Sequence, residues 1–338
     1  MKWYLETGPE GDVVISSRVR LARNLAEYPF PSRLKPGQAK EVVNAASKAL
    51  LESGDKLAEG FELIDMNKLT PARAMSLAER HLISPDFAKK RDGALMIDKD
   101  ESVSIMLNEE DHIRIQTLLA GQRLGDALTL AGQIDDIFDR SLKYAFDENL
   151  GYLTQCPTNL GTGLRASLML HLPATVASGT IPELVAAVAK LGIAIRGTYG
   201  EGSAALGAFY QISNQVTLGV SEKETVEGLE GVASQIIAQE RAARGALGKI
   251  GPALEDKIWR SYAILKNARV LSDEEFMALI SDLRLGVTMG IIDSVSLETI
   301  NGLISQAQSA TLMTSAGRNL DASDRDVLRA RTVREKLS

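Results

Sequence analysis

The chain has 338 residues, of which 45% are hydrophobic and 24% are charged, and its formal net charge is -6 at pH 7. This composition is typical of a globular protein with a large and a smaller domain, and the acidic balance argues against a nucleic-acid partner. No apolar run approaches the roughly 18 to 20 residues that span a bilayer, and the N-terminus lacks the apolar core of a signal peptide. We therefore expect no membrane partner and predict a cytoplasmic protein.

Metal-binding and P-loop motifs are missing from the sequence. The single cysteine, Cys156, lies far from the three histidines, and a lone cysteine fits a reducing compartment without a disulfide framework. No HExxH, CxxC or GxxxxGK[ST] motif is present. The sequence therefore predicts no protein metal site, and any nucleotide chemistry must use a different phosphate-binding arrangement.

The predicted elements are mixed in type up to about residue 220 and helical afterwards. In chain order, the residue pattern predicts a strand at 11–20, a helix at 38–54, strands at 94–97 and 103–107, and helices at 116–150 and 182–190. After Val220, apolar residues at helical spacing predict helices at 227–246, 254–269, 274–285, 297–309 and 324–337. Ser272 and Glu275 match a capping box. We predict a mixed domain at residues 1–222 and an all-helical domain at residues 223–338.

Arg18 and Arg20 are the first residues that could do chemistry. Residues two apart on a strand point to the same face, so the two guanidinium groups would lie side by side and repel each other without an anion between them. Phosphate suits this position because the planar guanidinium fork binds it bidentately. The alternative is a solvated edge strand.

Asn108 to Arg114 is rich in carboxylates and follows a predicted strand, with Arg114 four positions after Glu110. Taken alone, this pattern is more typical of a helix start, where acidic residues interact favourably with the helix dipole and with a basic residue one turn later. The alternative is a catalytic site.

Two glycine-containing segments follow. Residues 156–167 predict a turn that leads into a helix and could bring backbone N–H groups and Arg165 close to an anion, although a cysteine such as Cys156 is usually a buried small residue. Residues 200–205 fit GxGxxA, but alternating strands and helices do not surround them and Glu201 would face a pyrophosphate. A glycine-rich lid carrying one carboxylate fits this segment better than a dinucleotide fold.

Together these segments resemble the phosphagen (guanidino) kinases, which include the creatine and arginine kinases. Residues 156–162, CPTNLGT, match the signature of that family, and residues 108–114 look like its acidic motif. The resemblance runs from about Val14 to Gly219 and includes residues 77–82 and 211–214. It implies an α+β catalytic domain, with an antiparallel sheet flanked by helices, that transfers phosphate from ATP to a guanidinium group.

The resemblance also assigns roles to individual residues. The ATP phosphates would be bound by Arg18, Arg20, Arg114, Arg165, Arg196 and His81, and Mg2+ would be held mainly by phosphates and water. Glu110 and Glu201 would align the substrate guanidinium, which has a pKa above about 12 and must lose a proton as the N–P bond forms. Glu110 is the stronger candidate for the general base, and Cys156 would tune substrate electrostatics rather than attack.

The chain departs from the phosphagen kinases in three respects. Those enzymes carry a small helical domain ahead of the segment that matches Val14, whereas only 13 residues precede it here, so we expect a site open enough for an arginine side chain on a protein. Met169 stands where the family has a histidine, and Gln215 where it has an arginine. Contacts to the nucleotide are expected to differ at these two positions.

The helical C-terminal region makes the whole chain resemble the bacterial protein arginine kinases. Their phosphoarginine-reading motif, RDxxRA, occurs here with Arg325, Asp326, Arg329 and Ala330. Arg325 and Arg329 would share a helix face and bind the phosphate, while Asp326 would bind the guanidinium. The alternative is an ion pair between Asp326 and Arg329 on a solvated helix.

This resemblance implies a protein arginine kinase that dimerises through its helical domain and responds allosterically to phosphoarginine. It further implies that the enzyme marks proteins for a Clp ATPase/protease in the stress response, with a zinc-binding activator protein as partner. Two alternatives remain, which are a kinase for free arginine and a non-catalytic adaptor that reads phosphoarginine. The short N-terminal segment argues against the first, and the full set of carboxylates and arginines against the second.

Overall fold

A computed structural model describes residues 2–197 and 205–338, and it places ten strands and eleven α-helices in these ranges. The strands are β1 Val14–Arg23, β2 Glu62–Asp65, β3 Ala94–Ile97, β4 Val103–Leu107, β5 Ile113–Ala120, β6 Phe146–Asp147, β7 Gly151–Tyr152, β8 Leu164–His171, β9 Ile193–Gly197 and β10 Phe209–Asn214. The helices are α1 Pro36–Leu51, α2 Pro71–Glu79, α3 Leu124–Asp139, α4 Pro173–Ala177, α5 Ile181–Ala189, α6 Glu222–Leu247, α7 Pro252–Asn267, α8 Asp273–Thr288, α9 Leu297–Gln306, α10 Ser309–Ala316 and α11 Ala322–Leu337.

Eight of the described strands form one antiparallel sheet in the order β2-β3-β4-β5-β1-β8-β10-β9. Helices cover the sheet, and five further helices, α7 to α11, follow it in the chain. The predicted α+β class, with an antiparallel sheet flanked by helices and a helical C-terminal region, is confirmed. Among the helices that the structure describes, none is both long and apolar enough to cross a lipid bilayer.

One side of the sheet packs on α1, α3 and α6. Val19 and Leu21 of β1 point to this side and are fully buried, together with Ile115 of β5. Burial of one such side chain contributes about 1.5–3 kcal/mol to the free energy of unfolding. Because side chains alternate along a strand, Arg18 and Arg20 point to the opposite side.

The opposite side of the sheet is shared by α2 and the C-terminal helices. Leu118 of β5 and Met106 of β4 pack with α2, while Phe209 of β10 packs into the core of the C-terminal helices. A Cβ on Gly207, which has φ 62°, would lie 2.5 Å from the carbonyl oxygen of Met277 on α8. The two parts of the chain therefore meet in close contact at Gly207 and Met277.

Two predictions of helix are wrong at central strands of the sheet. The helix predicted at 116–150 is strand β5 up to Ala120, and the helical part is limited to α3, Leu124–Asp139. The helix predicted after the turn at 156–163 is strand β8. Most side chains of β5 and β8 are buried on both faces of the sheet, so the alternation of polar and apolar residues that marks a strand is lost.

The helices predicted after Val220 are confirmed with shifted ends. Ser272 is the N-cap of α8, and its hydroxyl accepts a hydrogen bond from the backbone N–H of Glu275 at 3.1 Å. The segment predicted as one helix at 297–309 ends at Gln306, and α10 begins at Ser309 after a turn.

Helix α6 begins at the predicted domain boundary after residue 222, but it packs with the sheet. It begins at Glu222, and its side chains Val226, Leu229, Ala233 and Ile236 are buried in the core formed with the sheet. The core of the C-terminal helices begins in sequence with Ile258 of α7, apart from Phe209. We propose that the division lies between α6 and α7.

Candidate active site

Four strands carry arginines to the side of the sheet that faces α2. Arg20 of β1 lies opposite Arg165 of β8, and Arg18 lies opposite Ser167 on the same strand. Arg114 of β5 and Arg196 of β9 extend this row on either side. The register of neighbouring strands, rather than proximity in sequence, therefore brings the five predicted phosphate-binding arginines together.

A cleft of about 150 Å³ lies above this row, and Arg18, Arg20, Arg165, Arg196, His81 and Gln211 are among the residues that line it. Arg18 donates from Nη2 to Gln211 Oε1 at 2.8 Å and from Nε to Ser167 Oγ at 3.2 Å. Arg20 Nε is buried and has no hydrogen-bond partner among the described residues.

The arginines of the cleft repel each other. Burial, together with the charges of Arg114 and Arg165, lowers the pKa of Arg18 to about 10. Burial and neighbouring arginines lower the pKa of Arg20 well below its usual value. A bound anion with several oxygens would relieve this repulsion and give Arg20 Nε an acceptor.

Glu109 fixes one end of the row, although it was not among the predicted site residues. Its carboxylate pairs with Arg114, accepts from Ser84 Oγ at 2.6 Å and accepts from the backbone N–H of Glu110 at 2.7 Å. Burial opposes ionisation, but Arg114 and these hydrogen bonds outweigh it and lower the pKa of Glu109 to about 2. The acidic motif that includes Glu109 was visible in the sequence, but its bond to Arg114 was not.

Glu110 lies in the loop that joins β4 to β5, so the helix start considered for residues 108–114 is a hairpin loop. Glu110 Oε2 accepts from Asn159 Nδ2 at 3.4 Å, which connects the acidic motif to the turn at residues 156–162. Arg165 interacts electrostatically with both Glu110 and Cys156. Glu110 and Cys156 are therefore within electrostatic range of Arg165, which lines the cleft.

The turn at residues 156–162 is held by close backbone packing. Gly161 has φ 105°, and a Cβ on it would lie 2.2 Å from the carbonyl oxygen of Thr217. Only glycine fits there without displacing the backbone. Cys156 is partly buried, and its Sγ lies 3.1 Å from Thr158 Oγ1. Glu201 and most of the predicted lid lie outside the described residues.

His81 separates the arginine cleft from a second, apolar pocket. It adopts φ 60°, and its carbonyl oxygen accepts from Gln116 Nε2 at 2.8 Å. Burial and the charge of Arg18 lower the pKa of His81 to about 4, so its ring is neutral at pH 7. His81 lines both spaces.

The apolar pocket has a volume of about 70 Å³ and lies between the sheet and the C-terminal helices. The sheet side contributes residues that include Ser16, Met169 and Phe209, and the helical side contributes residues that include Met277, Ile304 and Gln308. Met169, which stands where the family has a histidine, therefore faces a predominantly apolar space. Gln215, the second departure, is exposed and does not line either space.

The RDxxRA residues lie on α11, apart from the cleft. Arg329 is 1% exposed and donates to the carbonyl oxygens of Ala307 at 2.9 Å and Leu271 at 2.8 Å. It also donates to Asp326 Oδ1 at 2.6 Å and to Ser309 Oγ at 3.2 Å. The ion pair between Asp326 and Arg329, which is the alternative to phosphate binding, is present on a buried face, where structural contacts occupy Arg329.

Arg329→Ala should lower the free energy of unfolding by about 3 kcal/mol or more, because it leaves Asp326 and two buried carbonyl groups without their donor. Chemical denaturation of the full chain measures this change. Arg325→Ala is the matched control, since the side chain of Arg325 makes one hydrogen bond to the described residues, to the carbonyl oxygen of Leu320 at 3.2 Å. Equal stability of the two variants would contradict a structural role for Arg329.

The comparisons with known proteins agree with this geometry. Residues 41–243 match the model of the ATP:guanido phosphotransferase C-terminal catalytic domain, and residues 252–338 match that of the protein-arginine kinase McsB C-terminal domain. The chain is 49% identical over 97% of both chains to a protein-arginine kinase of Caldanaerobacter subterraneus. The chain belongs to the protein-arginine kinase family. A protein-arginine kinase of Geobacillus stearothermophilus is 48% identical over 99% of this chain and 93% of its own length.

Solved structures place this member of the protein-arginine kinase family among the phosphagen kinases in fold. A lombricine kinase is similar with a TM-score of 0.59 and 26% identity, over 73% of this chain and 71% of its own. A duplicated taurocyamine kinase from Schistosoma mansoni, with bound transition-state analogue components, has a TM-score of 0.62 and 22% identity over 85% of this chain and 48% of its own. The second likeness concerns the fold alone.

Proposed function

We propose that this protein transfers the γ-phosphoryl group of ATP to the guanidinium group of arginine residues in proteins. The observation that carries this proposal is the row of five arginines on one face of the sheet, near the carboxylate of Glu110, in which Arg20 Nε has no hydrogen-bond partner among the described residues. Family membership supports the same reaction class.

The nucleotide would use both spaces beside His81. The arginine cleft suits the triphosphate, because phosphoryl transfer relies mainly on positioning and on neutralising charge. The apolar pocket suits the adenine base, which is flat and largely apolar. Within the described ranges, no three His, Cys, Asp or Glu side chains form a group suited to a metal, so these residues fit Mg2+ that is held chiefly by ATP and water. Bound in this way, Mg2+ would neutralise charge on the phosphates.

Glu110 would act on the nucleophile. As a guanidinium nitrogen of the substrate forms its bond to the γ-phosphorus, the bond from that phosphorus to the β,γ-bridging oxygen breaks and ADP leaves. The attacking nitrogen gives up one proton, and Glu110 is the proposed acceptor. Glu201, which lies outside the described residues, would hold the guanidinium from the other side, as the family resemblance implies.

Cys156 would contribute to substrate binding rather than form a covalent intermediate. Its electrostatic interaction with Arg165, which lines the cleft, supports a role where the guanidinium would enter. Phosphoryl transfer straight from ATP to nitrogen needs no enzyme nucleophile, so the sulfur is not required to react.

The finer biological role rests on the resemblance to protein arginine kinases. We propose that phosphorylation marks proteins for a Clp ATPase/protease during the stress response and that a zinc-binding activator protein is a partner. We further propose a homodimer formed through the C-terminal helices, a cytoplasmic location and allosteric control by phosphoarginine at Arg325, Asp326, Arg329 and Ala330. Because Arg329 is enclosed in this structure, its part in such control would require its present contacts to rearrange.

The first test offers ATP–Mg with free L-arginine and with an unfolded arginine-containing protein in parallel, and identifies the product as acid-labile phosphoarginine by phosphorus NMR. Label on the protein alone, lost in Glu201→Ala, supports the proposal. Label on free arginine alone would make this a small-molecule guanidino kinase. No label on either, even with the activator present, would favour an adaptor that binds phosphoarginine without making it.

A further inference from the structure

The apolar pocket beside His81 is completed by the C-terminal helices. Ser16, Met169 and Phe209 form its sheet side, while Met277 of α8 and Ile304 and Gln308 of the α9–α10 region form the other side. Without these helices, the pocket would be an open depression on the sheet. Any group that enters it from the arginine cleft must therefore contact both parts of the chain.

The polar atoms around this pocket fit a ligand that has hydrogen-bonding groups on an apolar ring. Its lining includes Trp3, whose indole Nε1 is buried and has no hydrogen-bond partner among the described residues. Gln308, which is 6% exposed and donates from Nε2 to the carbonyl oxygen of Ile304 at 3.0 Å, adds an amide side chain on the helical side. A purine base combines flat apolar faces with ring-nitrogen acceptors, and it would be joined to phosphates in the neighbouring cleft.

Glu79, which also lines the pocket, connects the helical side of the pocket to the catalytic part. Its carboxylate accepts from the backbone N–H groups of Ala310 at 2.7 Å and Thr311 at 2.8 Å, and from Thr311 Oγ1 at 2.9 Å. Ser76 Oγ lies 3.0 Å from the same Thr311 hydroxyl. These contacts cap the first turn of α10, where a carboxylate is favoured by the helix dipole.

The cap formed by Glu79 lies close in the chain to His81. Glu79 is the last residue of α2, and His81, which lines both the cleft and the pocket, follows two residues later. Movement of α10 away from the sheet would break the cap and open the pocket wall next to His81. The cap and the pocket therefore depend on the same placement of the C-terminal helices.

We propose that the C-terminal helices form part of the ATP site, in which Met277, Ile304 and Gln308 hold the adenine base and Glu79 is a positioning residue that keeps this wall in place. This inference rests on the proposed use of ATP. Because the base contacts both parts of the chain, ATP binding and docking of the helices stabilise each other. A ligand that shifts the helices therefore changes the affinity for ATP, and ATP changes the affinity for that ligand by the same factor.

Two probes separate the base from the phosphates, namely ATP–Mg and tripolyphosphate–Mg, each titrated into the full chain by calorimetry. Ile304→Trp fills the pocket and should raise the Kd for ATP at least tenfold while the Kd for tripolyphosphate stays within twofold. Ile291→Trp is the matched control, because Ile291 is also a partly buried isoleucine among the C-terminal helices but does not line the pocket. Glu79→Gln should raise the Kd for ATP about threefold to tenfold.

Hydrogen exchange on the unaltered protein tests the same idea without a substitution. ATP–Mg should slow exchange at residues 301–311 at least threefold, and tripolyphosphate–Mg should not. Unchanged exchange there, or an Ile304→Trp variant that binds ATP like the unaltered chain, overturns the inference even if arginine is phosphorylated. If the unaltered chain binds neither probe, the proposed function fails as well, so the two failures are distinguishable.

Discussion

Glu110→Gln should lower the rate of phosphoarginine formation by about two to four orders of magnitude, the usual contribution of a general base. Glutamine keeps the size of the side chain and can still meet Asn159, but it cannot accept the substrate proton at neutral pH. The affinity for ATP should change little, since the arginines that face the triphosphate remain. Single-turnover rates at saturating ATP, together with calorimetric titration of ATP–Mg, measure the two quantities.

Glu62→Gln is a suitable control for this substitution, because Glu62 is exposed on the edge strand β2, away from the cleft. It should leave both the rate and the affinity unchanged. A Glu110→Gln rate within tenfold of the original would exclude Glu110 as the general base and would move that role to another carboxylate, with Glu201 the first to examine.

Arg20→Met should abolish most of the kinase activity and at the same time make the nucleotide-free protein more stable. Methionine removes a cation whose pKa burial and three neighbouring arginines lower in the folded state. A base with a folded pKa below its unfolded value reduces stability at pH values where it is charged, so neutralising it at pH 7 favours folding. We expect a gain of about 1–2 kcal/mol, or a few degrees in Tm.

Thermal melts with and without ATP–Mg check both halves of this expectation. ATP–Mg should raise the Tm of the original protein more than the Tm of Arg20→Met. The reason is that the phosphates neutralise the same repulsion between arginines that the substitution removes. Arg33→Met, at an exposed arginine, should alter neither the melt nor the activity. A lower Tm for nucleotide-free Arg20→Met would show that Arg20 stabilises the fold instead of serving the site.

The sequence predicted the fold class and the grouping of the arginines, but different kinds of reasoning identified different arginines. Arg18 and Arg20 could be paired from strand periodicity alone. Arg165 and Arg196 join them only through the register of β8, β10 and β9, which no local pattern encodes. The family resemblance identified Arg165 and Arg196 as site residues because the motifs of the family mark these positions, although the sequence does not show where they lie in space.

Contacts between distant segments were the main feature that sequence patterns did not reveal. Glu79 is an ordinary helix-terminal glutamate in the sequence, and its cap on α10 joins residues more than two hundred positions apart. The RDxxRA motif predicted that Arg329 binds phosphate, yet four hydrogen-bond acceptors surround its guanidinium. In both cases some of the partners are backbone groups, which residue identity does not reveal.

Binding of a nucleotide to the arginines above β1 would also affect how quickly the protein is degraded. A ligand that binds only the folded chain stabilises it, by about 2.7 kcal/mol at a concentration one hundred times its Kd, and ATP would act in this way here. Cellular proteolysis of transiently opened states follows the free energy of unfolding. We therefore expect a protease to degrade the nucleotide-free protein faster than the ATP-bound protein.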